Sequence, residues 1–337
     1  MTTPSPLSGP AAGGTVGTAV GQPRLKPTIR EVLAATERPL VGLWSSSGSP
    51  VAAEILAASG ADLLVVDGEH GPVELRDILA ILQASEAYPV TPVVRVPWND
   101  PVRIKQVLDL GAQSIIVPMV SSADEARAAV AAARYPGAEG ERLGRRGIGS
   151  ALARSARWGL VPGYVRGADA HVSVIVQIET ADGVANAAEI AAVDGVDAVF
   201  IGPADLAGSL GHPGAPAEPE VVAAVDATIE AVAAQGVPVG VNAFAPADAD
   251  RVIARGAAFV VVSSDVTLVA TGARAAVDRL RPAADSGTTV DHTPDSAAAD
   301  SATPAAPEPD TTSPASTVSA STVSASTVGQ APAPDQY

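Results

Sequence analysis

Eight times between residues 39 and 280, a short run of β-branched residues gives way to an alanine-rich amphipathic stretch. That alternation leaves few folds open. The runs fall at 39–46, 61–67, 91–97, 114–120, 172–179, 197–202, 238–244 and 259–264. Stretches with helical spacing follow each, at 50–59, 72–86, 99–110, 122–135, 181–193, 219–235, 246–255 and 266–280, and a short helix at 28–36 precedes the first run. Strands that are apolar on both faces belong to parallel sheets covered by helices. Eight strand–helix units over about 250 residues are the arithmetic of a (β/α)8 TIM barrel, and the expected fold class is α/β of that kind, in a single domain. The rival is a doubly wound open sheet, which normally carries a glycine-rich phosphate turn after an early strand; no G-x-G-x-x-G occurs here.

The barrel is expected over 28–281. Residues 1–27 are rich in Gly, Pro, Ser and Thr, and 282–337 form a low-complexity acidic tail in which Ser-Thr-Val recurs from Ser316, Ser321 and Ser326. Neither end holds enough large apolar groups to offset the entropy of ordering, so both are expected to be disordered. The net charge of −16 argues against nucleic acid and anionic membrane as partners. There is no cysteine, which excludes thiol catalysis and cysteine zinc sites. No apolar run approaches the roughly 18 residues of a membrane span, and the first residues lack a signal-peptide pattern, so a cytoplasmic protein is expected.

In a barrel of this kind the residues that close each strand face one mouth, where active sites sit. Here they are Trp44 and Ser45; Asp67, Glu69 and His70; Arg95; Pro118; Gln177 and Glu179; Gly202, Pro203, Ala204 and Asp205; Asn242; and Ser263, Ser264 and Asp265. Each alone has a bland explanation, Asp205 as a helix cap or Arg95 as an ion-pair partner. Several carboxylates, an arginine and a histidine converging on one mouth are harder to explain so. Glu179 and Asp205 close adjacent strands, and two hard oxygen donors suit Mg²⁺ or Mn²⁺ with positions left open. Arg95 can grip a carboxylate with its planar fork, and His70 can serve as general base. Lys26 and Lys105 are the only lysines and neither ends a strand, so Schiff-base chemistry is not expected.

Four segments, Asp67-Gly68-Glu69-His70, Val94-Arg95-Val96-Pro97, Gln177-Ile178-Glu179-Thr180 and Ile201-Gly202-Pro203-Ala204-Asp205-Leu206, together resemble the HpcH/HpaI aldolase family over residues 28–281. The resemblance implies a class II pyruvate aldolase that uses a divalent metal (Mg²⁺, Mn²⁺ or Co²⁺) and cleaves a 4-hydroxy-2-oxo acid to pyruvate and an aldehyde. Glu179 and Asp205 resemble the metal ligands, and Arg95 and Gln177 the pyruvate-binding side chains. The backbone of Gly202, Pro203 and Ala204 is expected to receive the pyruvate carboxylate. His70 resembles the catalytic base and Asp109 its dyad partner, one that can come from a neighbouring subunit. Trp44 and Asn242 are expected to bind substrate, and polar Asn242 and the Ser45-Ser46-Ser47-Gly48 segment depart from the family pattern toward a more polar aldehyde pocket. Arg145-Arg146-Gly147 and the 151–158 stretch resemble a family loop expected near the mouth or a subunit interface. A homo-oligomer, a hexamer, is implied, with the last helix (266–280) exchanged or packed between subunits. Two other readings stand beside this one: a CoA-thioester lyase of the citrate lyase β type, for which only Arg142, Arg145 and Arg146 offer a basic cluster, and a non-catalytic barrel serving as a binding protein.

Overall fold

A computed structural model of the chain describes residues 23–137 and 144–281. Its strands are β1 Leu40–Ser45, β2 Leu63–Asp67, β3 Thr91–Arg95, β4 Ser114–Val117, β5 Ser173–Ile178, β6 Ala198–Ile201, β7 Val239–Asn242 and β8 Phe259–Ser264. They close into a barrel in chain order, and every neighbouring pair, β8 with β1 included, is parallel. The helices are α1 Ile29–Ala34, α2 Pro50–Ala58, α3 Leu75–Ala84, α4 Pro101–Asp109, α5 Ala123–Ala133, α6 Tyr164–Gly167, α7 Ala181–Ala185, α8 Ala187–Ala191, α9 Pro203–Ser209, α10 Pro219–Ala233, α11 Pro246–Ala254 and α12 Asp265–Asp278. The (β/α)8 barrel expected from the alternation is the fold observed.

Each strand is apolar along its length because both faces are covered. Inward-facing Leu40, Trp44, Leu63, Val65, Val93, Ile116, Ile175, Phe200 and Phe259 fill the barrel, and Ile29 of α1 closes its lower end. The Ile29 N–H donates to Ser114 Oγ at 2.9 Å, which fixes α1 under the strands. The alternate residues, Leu64, Val66, Val94, Ile115, Val174 and Val176 among them, face the helical layer. Full burial of one such side chain is worth about 1.5–3 kcal/mol, so a one-residue slip of register, which exchanges the two faces, is strongly disfavoured. Helix starts follow local chemistry. Ser49 and Asp100 accept from Ala52 N and Arg103 N, and Pro50 and Pro101 occupy the first helical position, where no N–H is needed.

Three details depart from the alternation. The helix expected over 181–193 is broken at Asn186, whose Nδ2 donates to Ser121 O at 2.8 Å instead of leaving the turn regular. A seven-residue α9 directly follows β6, because Gly202-Pro203 starts a helix at once. Between α5 and β5 the chain makes an excursion whose described parts, up to residue 137 and from residue 144, carry α6 and a small core of Tyr135, Ala156, Tyr164 and Ala168.

At the N-terminal side, ordered contacts begin before the boundary expected at residue 28. Lys26 Nζ donates to Ser85 O at 3.0 Å and to Tyr88 O, and Arg24 O accepts from Arg157 Nη2 at 3.3 Å. The expectation of disorder for the remaining N-terminal residues and for 282–337 falls outside the described residues. No helix among the described residues is long and apolar enough to cross a membrane.

Candidate active site

The cleft at the C-terminal ends of the strands has a volume of about 190 Å³ and is lined by Trp44, Ser46, Asp67, His70, Arg95, Gln177, Phe200, Gly202, Ala204, Asp205, Asn242, Phe244 and Ser264. A larger cavity, about 1000 Å³, lies at the other end of the barrel between Arg30, Arg134 and Asp197. Two of its arginines are engaged, Arg30 with Asp197 at 2.7 Å and Arg134 with Val172 O at 3.0 Å. The smaller cleft holds the convergent carboxylates and His70, and it is the candidate site.

Asp67, the last residue of β2, organises one wall. Its Oδ1 accepts from Glu69 N at 3.2 Å and His70 N at 3.1 Å, so the chain turns sharply and throws both side chains toward the mouth. The same oxygen accepts from Arg95 Nε at 3.1 Å and Nη2 at 2.8 Å. Arg95 Nη1 lies 3.1 Å from Glu69 Oε2, an ion-pair contact without hydrogen-bond alignment, and the guanidinium carbon stands 4.3 Å from the centre of the Trp44 ring. The arginine is buried and held on three sides. His70 is the exposed member, its side chain 61% accessible, with Nε2 3.9 Å from Glu69 Oε2.

The opposite wall comes from β5 and β6. Glu179 is buried just past β5, and its Oε1 accepts from Met119 N at 2.8 Å. Met119 holds φ 57°, a left-handed conformation uncommon for a residue with a side chain. The strained peptide aims its N–H at the carboxylate. Gln177 Nε2 donates to Glu179 Oε2, and Gln177 Oε1 is buried without a partner among the described residues. Gly202 must be a glycine here, since a Cβ would stand 2.5 Å from Glu179 Oε2 and 3.0 Å from Gln177 Nε2. Asp205, in the first turn of α9, is exposed to the cleft.

Charge in this cleft is unbalanced. Burial, reinforced by repulsion from Asp67 and Asp205 and opposed by Arg95, pushes Glu69 up to about 7. Burial also pushes Glu179 up to about 7, against its bonds to Met119 N and Gln177 and with repulsion from Glu69 and Asp205. Carboxylates gathered in this way need positive charge. Among the described residues no three donors form a ready-made metal cluster. Glu179 and Asp205, two hard oxygen donors with room for water and substrate oxygens, fit a Mg²⁺-type ion.

On the third side, Trp44 Nε1 donates to Asn242 Oδ1 at 2.9 Å, from β1 to β7 over the intervening β8. The bond uses the carbonyl oxygen of Asn242 and leaves its amide for the cleft. Phe244 is half-exposed at the rim.

The structure brings together His70, Arg95, Gln177, Glu179, Asp205, Trp44, Asn242 and the Gly202–Ala204 turn. It does not bring Asp109 to His70 within one chain. Asp109 ends α4, and a barrel helix ends at the lower rim, away from the mouth. There its Oδ1 accepts from Arg146 Nη2 at 2.8 Å. The 144–158 segment shares that lower position: Arg146 is buried over the Tyr135 ring, and Arg154 pairs with Glu86 at 2.7 Å. In its own barrel this loop is therefore not at the mouth. The sequence places Asp67 and Glu69 at the mouth without giving either a role; the structure makes Asp67 the anchor of Arg95 and sets Glu69 against the same guanidinium.

Comparison with known proteins agrees with this architecture. The family model of HpcH/HpaI aldolase/citrate lyase matches residues 40–272. The chain is 48% identical over 255 residues to 4-hydroxy-2-oxo-heptane-1,7-dioate aldolase of Salmonella dublin, covering 76% of this chain and 95% of that protein. A crystal structure of an HpcH/HpaI aldolase/citrate lyase family protein from Burkholderia cenocepacia J2315 superposes with TM-score 0.71 at 40% identity, covering 75% of this chain and 98% of that one. That of an HpcH/HpaI aldolase from Desulfitobacterium hafniense DCB-2 gives 0.69 at 29% identity, over 77% and 98%. With the match spanning every strand and every wall of the cleft, the chain belongs to the HpcH/HpaI aldolase/citrate lyase family.

Proposed function

We propose that this protein is a divalent-metal-dependent aldolase that cleaves a 4-hydroxy-2-oxo acid to pyruvate and an aldehyde and runs the reverse addition. The observation that carries the reading is buried Glu179, near enough to Asp205 and Glu69 to feel their charge, at a cleft of excess negative charge where Asp67 and Glu69 fix the cation Arg95. The naming of the relative at 48% identity as a 4-hydroxy-2-oxo-heptane-1,7-dioate aldolase supports it.

In this reading Glu179 and Asp205 hold the metal, which when bound supplies positive charge next to the oxygen that becomes negative as the carbon–carbon bond breaks. Arg95, its orientation set by Asp67, faces the oxo acid, and Gln177 lies beside it with an unused amide oxygen. The Gly202, Pro203 and Ala204 backbone receives the substrate carboxylate. His70, exposed at the mouth, takes the proton from the C4 hydroxyl. The C3–C4 electrons then pass into the pyruvate fragment as the aldehyde forms. Trp44 and Asn242 face the aldehyde. A 4-hydroxy-2-oxo diacid of seven carbons, the substrate class named for the relative, is the first compound to try.

The same reading makes the protein a homo-oligomer. Only Asp265 of α12 is buried; Val266, Leu268, Val269 and Val277 on this helix and Leu280 just past it are exposed, an apolar stripe that needs cover. A hexamer is the expected assembly, and Asp109 reaches a site only if a neighbouring subunit presents it.

The test is pyruvate release from a panel of 4-hydroxy-2-oxo acids. Activity should vanish in EDTA and return with Mg²⁺, Mn²⁺ or Co²⁺. EDTA-resistant cleavage, or a pyruvate adduct trapped on the protein by borohydride, rules the proposal out.

A further inference from the structure

Asp265 is a buried carboxylate that the proposed chemistry does not use. It is the first residue of α12, yet the helix is capped by its neighbour: Ser264 Oγ accepts from Thr267 N at 3.0 Å. Asp265 is thus free for other partners, and three come from the loop after β1. Its Oδ1 accepts from Ser46 N at 2.9 Å, and its Oδ2 accepts from Ser47 N at 3.1 Å and from Ser47 Oγ at 2.5 Å. The fourth bond is local, from Val266 N to Oδ1 at 2.8 Å. A buried carboxylate that accepts several N–H and O–H groups is compensated without a cation, and loss of it leaves those donors unpaired.

The loop it holds lies against the loop that carries His70. A Cβ at Gly71 would stand 2.6 Å from Ser46 O and 3.0 Å from Asp67 O, so the two backbones touch and only glycine fits. Ser46 Oγ also donates to Asp67 Oδ2 at 3.4 Å, on the oxygen that Arg95 leaves free. Asp265 therefore stands behind Ser46, and Ser46 behind both the His70 turn and the Asp67–Arg95 pair. Asp265 is the buried residue of α12, and its carboxylate ties the start of that helix to the loop after β1.

We propose that Asp265 is a positioning residue: by clamping Ser46 and Ser47 it fixes the turn that aims His70, and it couples the placement of α12 to catalysis. The inference rests on the reading of His70 as the general base.

The experiment is a double-mutant cycle on the metal-loaded full chain. Asp265→Ala should lower kcat for aldol cleavage about 10–100-fold with KM for the oxo acid within about threefold, the pattern of a lost transition-state alignment. In a His70→Ala background the same change should cost less than about twofold, because there is no base left to aim. A purely structural role would lower activity by the same factor in both backgrounds, and that result overturns the proposal. Asp265→Asn and Ser47→Ala guard against misfolding of the alanine variant. With native circular dichroism each should lose at least about threefold in kcat, the amide by setting a donor against donors; full kcat in both overturns the proposal. A wild-type chain with no aldolase activity would instead sink the functional reading beneath it.

Discussion

Arg95 closes two of its nitrogens, Nε at 3.1 Å and Nη2 at 2.8 Å, on a single oxygen of Asp67. The β2–β3 register places the two residues side by side at the ends of their strands. The pair is buried, and replacing one partner leaves the other charge uncompensated. Arg95→Lys keeps the charge and loses the fork. It should reduce kcat/KM for the oxo acid by about 10²-fold or more, with the fold intact by circular dichroism. Near wild-type turnover would remove Arg95 from the site.

The two raised carboxyls set a pH dependence. Glu69 and Glu179 are both pushed from 4.5 up to about 7 by burial. Between those values the folded chain holds more protons than the unfolded one, so their contribution to stability falls as pH rises through that window. In EDTA, the Tm difference between wild type and Glu179→Gln should widen in favour of the variant from about pH 5.5 to about pH 8. Mn²⁺ should raise the wild-type Tm at the upper pH and do little for the variant. A difference that is flat with pH in EDTA would show that Glu179 is not held protonated.

On the side proposed for the aldehyde, the Trp44–Asn242 bond uses the oxygen of the Asn242 amide and leaves its nitrogen without a bond among the described residues. Asn242→Leu removes that donor and frees the indole N–H. Its kcat/KM ratio should shift by about tenfold or more toward alkyl aldehydes over hydroxylated or acidic ones in the addition direction. An unchanged ratio would place the aldehyde elsewhere.

Helix α12 carries its apolar residues outward. Leu268→Glu with Val269→Glu should lower the mass in light scattering at micromolar protein and cut activity with it, because a charged stripe cannot be buried between subunits. A wild-type monomer would count against both the assembly and a role for Asp109 at a neighbour's site.

The legible part of this protein was local. Strand and helix positions follow from apolar period, and the closing residues of each strand from where the period stops. Given a barrel, those residues had to share a mouth, so His70, Arg95, Glu179 and Asp205 could be named together from sequence and are found together. Only tertiary structure decided what each of them faces. That Arg95 turns onto Asp67, that Met119 strains to reach Glu179, that Asp109 pairs with Arg146 at the lower rim and that Asp265 grips Ser46 are contacts between residues 28, 60, 37 and 219 positions apart. Periodicity reports which face of an element is buried. It carries no information about which distant loop supplies the hydrogen bond, because that is fixed only when the barrel closes.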